Sequence, residues 1–149
     1  MFALAYLSNA SPTFRDEDFS DLIVLASAKN RGLGITGFLQ YGDGQFFQYL
    51  EGNEDIVLAL MDTIAQDPRH RVLRVVHLPE IKSRQFDDWH MRRITRERLI
   101  SMDLVGLLES MLLGMDSLSF EKSYVEAKIM RLVKRLAEHH RKFPSFFDI

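Results

Sequence analysis

Residues Gly44 to Gly52 read GQFFQYLEG. Side chains along a strand alternate between two faces. Phe46, Gln48 and Leu50 therefore share one face, and Phe47, Tyr49 and Glu51 share the other. Large apolar groups stand on both sides, so this strand belongs inside a sheet that is covered above and below. One amide, Gln48, sits between Phe46 and Leu50. A buried amide without partners costs roughly 1–3 kcal/mol. Something must hydrogen-bond to Gln48, or that face is not dry.

Working outward, GDG at 42–44 is a hairpin turn, and ITGFLQY before it is the partner strand. Upstream, RGLGITG ends a helix running from about Asp16 to Asn30. Phe19, Leu22, Ile23 and Ala26 recur in it at helical spacing, and Thr13 is the expected N-cap, with Asp16 three positions on. Phe2 to Ser8 is the first strand, closed by the turn NASP. Downstream, Asn53 caps a second helix with Ile56, Val57, Leu60, Met61 and Ile64 on one stripe. DPRH ends it, RVLRVVHLP is the fourth strand, and Trp89 to Thr95 reads as a fifth, with Met91 sharing the face of Trp89.

The order β-α-β-β-α-β plus one strand predicts an α+β fold. It is a ferredoxin-like βαββαβ sandwich with an extra fifth strand, a mixed sheet, and both helices on one face. The other face, expected to carry Phe47, Tyr49, Leu73 and Val75, needs a second cover. The tail offers Leu104, Leu107, Leu108 and Met111 on one helical face, a break at Gly114, then Val125, Ile129, Leu132, Val133 and Leu136 on another. Two C-terminal helices are thus expected over the second face. Residues 1–95 form the expected core domain, and 96–149 a linker with a helical cap or output segment.

Composition narrows the chemistry. A hydrophobic fraction of 46% and a charged fraction of 27% are those of an ordinary globular protein. A formal charge of −2 gives no bulk attraction to nucleic acid or anionic membrane. With no cysteine, disulfides, thiolate metal sites and cysteine nucleophiles are excluded, which suits a reducing cytoplasm. The start, MFALAYLSNASP, lacks the basic end and long apolar run of a signal peptide. Neither phosphate-loop pattern occurs, and GLGITG reads as a tight helix-to-strand turn. The five histidines show no metal-ligand spacing, so no metal site is expected. RRITRER at 92–98 reads as a solvated edge before it reads as a nucleic-acid patch.

In a ferredoxin-like sheet the first and third strands are neighbours, which makes Tyr6 and Gln48 candidate cross-strand partners facing the space between the helices. Asn30 brings a second amide to that end. By patterning alone, Tyr6 and Gln48 satisfying one another in an ordinary core remains open beside a ligand site. So do two rivals: an acylphosphatase-like enzyme, for which no loop supplies an arginine–asparagine phosphate site, and a module binding a colourless metabolite.

Tyr6, Asn30, GITG at Gly34–Gly37, FFQYLEG at Phe46–Gly52, DPRH at Asp67–His70 and SRQFDDWHM at Ser83–Met91 together resemble the BLUF domains, sensors of blue light using FAD. The blocks come in family order over about residues 1–98. The resemblance implies FAD, with FMN as the alternative, held noncovalently between the two helices. Tyr6 matches the photoactive tyrosine, Gln48 the switching glutamine, and Asn30 the asparagine at the ring edge. Ile35 would line the ring, Asp67, Arg69 and His70 its far edge, and Trp89 and Met91 match a light-responsive pair on the fifth strand. Lys29 departs from the pattern, since relatives often carry Asn or His there. The implied function is a blue-light photoreceptor and no enzyme. Electron and proton transfer from Tyr6 through Gln48 would rewire hydrogen bonds at the flavin. The signal would leave by the fifth strand and C-terminal helices to a homo-oligomer, dimer or larger, or to an unidentified downstream protein. Neither direct nucleic-acid binding nor membrane association is implied.

Overall fold

The computed structural model describes residues 1–113 and 119–144. Five strands, β1 (Phe2–Ala10), β2 (Thr36–Gly42), β3 (Gln45–Gly52), β4 (His70–His77) and β5 (Arg92–Arg93), form one sheet in the order β4-β1-β3-β2-β5. The β1–β3, β1–β4 and β2–β3 pairs are antiparallel, and β2–β5 is parallel, so the sheet is mixed. Asp43 and Gly44 both have positive φ, 51° and 73°, the geometry that suits a two-residue hairpin loop between twisted strands.

Helices α1 (Asp16–Leu33) and α2 (Glu54–Ala65) cover one face. Asn53 caps α2 by accepting from the Ile56 amide at 3.2 Å. The cap of α1 is not Thr13. The helix starts after Arg15, whose backbone N–H donates to the Asp18 carboxylate at 2.9 Å, while Thr13 turns to Ser11. Gly32 lies within α1, and the helix stops at Gly34, a left-handed cap with φ 67°. Leu4, Tyr6, Phe19, Ile35, Leu39, Phe46, Leu50, Val57, Leu60 and Met61 pack between these helices and the sheet, while Ile56 is largely at the surface.

The opposite face is covered by the tail. After the short α3 (Arg96–Ile100), α4 (Leu104–Leu113) and α5 (Ser119–Lys142) bury Leu104, Leu107, Leu108, Met111, Val125, Ile129, Leu132, Val133 and Leu136 against Ala3, Ala5, Leu7, Phe38, Phe47 and Tyr49. The expected break at Gly114 lies outside the described residues.

Two expectations fail here for physical reasons. Strict alternation put Leu73 and Val75 together on the tail face. The β1–β4 register shifts between Leu7 and Ser8, with Leu7 opposite Arg74 and Ser8 opposite Val72, so Leu73 is an inserted bulge residue. Leu73 packs on the tail side, but Val75 lies opposite Tyr6 and is 37% exposed. The fifth strand spans only Arg92–Arg93 instead of Trp89–Thr95. Trp89 is packed into the tail-side core and Met91 into the helix-side core, so the two residues face opposite ways around one bend.

Candidate functional site

A cleft of about 210 Å³ opens between α1, α2 and the sheet. Its floor is formed by Tyr6 on β1, Leu39 on β2, and Phe46 and Gln48 on β3. Leu22, Leu25, Ala26, Lys29 and Asn30 of α1 form one wall, and Leu60, Thr63 and Ile64 of α2 the other. Asp67, Arg69 and His70 close the far end. The volume falls below the roughly 300–1,000 Å³ of sites that enclose a whole drug-sized ligand. It suits the flat end of a longer molecule whose remainder lies at the mouth.

Tyr6 and Gln48 are directly opposite in the β1–β3 register and both are buried. The Gln48 donor does not go to Tyr6. Its Nε2 donates to the Met91 sulfur at 3.0 Å, and Met91 lies just ahead of β5. Among the described residues neither the Tyr6 hydroxyl nor the Asn30 amide has a hydrogen-bonding partner, and both line the cleft. Burial holds the Tyr6 hydroxyl well above the usual phenol range, and the nearby Asp67 carboxylate adds to this. The phenol is therefore kept protonated, ready to donate.

The far end is tied together by hydrogen bonds. Asp67 accepts from the Arg69 backbone amide at 2.9 Å and from its guanidinium at 2.5 Å and 3.0 Å. Those hydrogen bonds keep the Asp67 carboxyl below its ordinary range. His70 Nε2 donates to the Ile64 carbonyl at 2.6 Å, and Nδ1 lies in hydrogen-bonding contact with the buried Ser8 hydroxyl at 2.7 Å. Its ring meets Tyr6 edge-on at 5.9 Å.

Of the residues expected from the sequence, Tyr6, Asn30, Gln48, Asp67, Arg69 and His70 converge on this cleft. Ile35 is fully buried in the same helix-side core without lining the cleft. Met91 reaches the site through Gln48. Trp89 faces away, stacked flat on Phe86 at 4.8 Å and lying 4.4 Å from His140 of α5. Lys29 lines the cleft at its exposed rim. Sequence reasoning passed over Glu51. Its fully buried carboxylate accepts from Thr36, Tyr49, Gln85 and Phe86 on the tail side of β3. Gln85 and Phe86 lie more than thirty positions along the chain, so no local pattern announces the contact.

The cleft fits an aromatic ring. Apolar side chains from both helices and the sheet face each other across it, and a phenol and an amide are presented to the occupant. Comparisons with known proteins agree. A family model described as BLUF, sensors of blue-light using FAD, matches residues 1–92. The beta subunit of photoactivated adenylate cyclase from Euglena longa is 33% identical over 130 residues, covering 86% of this chain and 15% of that protein. The chain thus spans about a seventh of the length of this curated relative. The dark-state structure of BlrB, a BLUF protein, superposes with a TM-score of 0.70 at 26% identity, covering 92% of this chain and 95% of that one. BlrP1 of Klebsiella pneumoniae, solved with FMN and cyclic diGMP, gives a TM-score of 0.58 at 30% identity, covering 97% of this chain and 35% of that one. Among the described residues no helix is long and apolar enough to cross a membrane, and no cluster of side chains could hold a metal ion.

Proposed function

The chain belongs to the BLUF family, the sensors of blue light using FAD, and from that membership we propose that it is a cytoplasmic photoreceptor whose output is a rearranged hydrogen bond. Domains of this family bind flavin, and Tyr6, Asn30, Gln48, Asp67, Arg69 and His70 are the residues that would hold it. When bound, the flavin supplies absorption of blue light and, once excited, a strong reversible oxidant. The rest falls to the chain. With flavin bound, Tyr6 would give up an electron together with its hydroxyl proton, and the Gln48 amide, directly opposite on β3 and hydrogen-bonded to Met91 rather than to Tyr6 here, would turn to carry that proton. Both electron and proton return to Tyr6, so no product forms. What changes is Gln48. An amide donates on one side and accepts on the other, so turning or tautomerising it alters both its contacts together. One of those contacts is Met91.

The Gln48–Met91 hydrogen bond is the observation that carries this reading. A single buried amide touches the cleft and also the segment that leads into β5 and the tail helices. A local rewiring matters only if a two-state element reads it, and that segment is the element we assign. In this reading the chain is no enzyme. Its output is a change in a homo-oligomer or in a complex with a downstream protein, delivered through residues 96–149, with residues 1–95 as the flavin-binding domain.

An absorption spectrum before and after blue light tests it. We expect flavin to copurify and its visible band to move reversibly to the red. A folded, colourless preparation that cannot be reconstituted with FAD or FMN overturns the reading.

A further inference from the structure

Gln48 is not the only β3 side chain that holds the segment before β5. Three residues on, Glu51 accepts from Thr36 Oγ1 at 2.9 Å, from the Tyr49 hydroxyl at 2.7 Å, and from the backbone amides of Gln85 and Phe86, both at 2.9 Å. Arg84 adds two bonds to the same place, to Thr36 Oγ1 at 3.0 Å and to the Gly34 carbonyl at 2.6 Å. Four donors on one acceptor-only carboxylate make a stiff, charge-assisted attachment. Beyond it the segment is held differently. The Phe86 ring stacks on Trp89 with the planes 2° apart, Trp89 lies against His140 of α5 and its carbonyl accepts from the Gly37 amide of β2 at 2.8 Å, and the next tie to β3 is the Gln48–Met91 contact.

We propose that Glu51 is a positioning residue for signalling: it fixes Gln85 and Phe86 so that a change at Gln48–Met91 swings residues 87–93, and Trp89 with them, against α5. This rests on the photoreceptor reading and adds to it the fixed end that such a movement requires. Three residues of strand separate the two ties by roughly 10 Å. The chain from Phe86 to Met91 could reach about 17 Å if extended. The segment therefore has slack between those two ties, bridged by one backbone bond from the Gly37 amide of β2 to the Trp89 carbonyl at 2.8 Å, which the movement must break. Without a fixed end, a displaced Met91 would be absorbed by movement of residues 82–91, which lie outside any helix or strand and beyond the backbone bonds of Leu78 to Ala3 and of Ile81 to Met1. Burying a carboxylate is an expensive way to attach a loop that apolar packing alone could attach. An immobile pivot for a neighbouring moving part accounts for it.

The test uses the full chain loaded with FAD and labelled with 5-fluorotryptophan, which reports Trp89 alone because the chain has one tryptophan. Flavin absorbance and the fluorine resonance are read on the same sample in darkness and under blue light. Wild type should show both the red shift and a displaced resonance. Glu51→Gln, which removes one acceptor oxygen and the charge, should keep the red shift and lose at least two-thirds of the resonance displacement. Tyr49→Phe, which leaves the carboxylate and both loop amides in place, should keep both signals. General loss of stability would not separate the two signals in this way. A folded Glu51→Gln protein with the full resonance displacement overturns the proposal. Absence of the red shift in wild type overturns the photoreceptor reading and, with it, the pivot. Should Glu51→Gln fail to fold, hydrogen exchange on wild type decides. Gln85 and Phe86 amides should stay equally protected in dark and light while those of 87–93 exchange faster. Equal loss of protection across 85–93 overturns the proposal.

Discussion

Tyr6 and Gln48 differ from every other pair in the β1–β3 register because both are polar, both are buried and both face a cleft. Tyr6→Phe keeps the ring, and Gln48→Leu roughly keeps the volume. Both variants should still bind flavin and appear yellow, yet lack the wild-type red-shifted state. A full red shift in either, measured by difference absorbance, would remove that residue from the mechanism. Lys29 calls for a different experiment. It stands at the exposed rim of the cleft, whereas the cation at the far end, Arg69, is already neutralised by Asp67. An exposed charge pair is worth little, roughly a two- to fivefold change in affinity. Lys29→Ala should weaken FAD and FMN by about that factor and leave riboflavin, which has no phosphate, unchanged in fluorescence-quenching titrations. At this scale the sequence was legible where a residue contradicts its neighbours. Gln48 stands out between Phe46 and Leu50, but Asn30 is one polar residue among several at a helix end, and only the family resemblance singled it out. The partners of Gln48 and Glu51 were not legible, because Met91 and Gln85 reach them from 43 and 34 positions away.

At the scale of elements, periodicity located β1 to β4, α1, α2 and the buried faces of α4 and α5, because each carries a repeating apolar pattern. It failed where one residue resets the pattern. The bulge at Leu73 hands β4 from one face to the other, so that Val72 packs toward the helices while Arg74 reaches the Met111 carbonyl in the tail at 2.8 Å. The bend before β5 does the same to Trp89 and Met91. Gly37 shows how tightly β2 and β3 are joined. A Cβ there would stand 1.9 Å from the Tyr49 carbonyl oxygen, with φ at 154°, and the Gly37 amide donates to the Trp89 carbonyl at 2.8 Å. Gly37→Ala must push the strands apart and should cost about 3 kcal/mol or more in urea unfolding. On the photoreceptor reading, α4 and α5 are the elements next to the moving segment. Their amides should lose hydrogen-exchange protection under illumination while β1 and β3 keep theirs. Unchanged protection in α4 and α5, in a sample whose flavin band has shifted, would direct attention to a partner contact on the core.

For the molecule as a whole, the sheet is a wall between two apolar cores, one around the cleft and one under the tail. Each side contributes burial worth roughly 25 cal/mol per Å² of apolar surface. A chain ending at residue 95 would uncover Ala3, Ala5, Leu7, Phe38, Phe47 and Tyr49. Such a patch favours association. The 1–95 fragment should therefore elute as larger species than the full chain in size-exclusion chromatography with light scattering. A monomeric, well-behaved fragment would show that the tail contributes little to covering the sheet. At the sheet edge β5 joins β2 through two residue pairs, Phe38 with Arg92 and Leu39 with Arg93, flanked by the Gly37–Trp89 and Leu39–Ile94 backbone bonds. A backbone hydrogen bond contributes a net of roughly 0.5–1.5 kcal/mol, so a shift of this edge that breaks those bonds and leaves Trp89, Met91 and Ile94 buried costs only a few kcal/mol. Reversing a 99:1 ratio of such states takes about 5.5 kcal/mol. Rearranging one amide is worth about a tenfold change in that ratio. Illumination of a single domain would then enrich a minority form without converting the whole population, giving a graded response. A sharp one would have to come from several copies acting together.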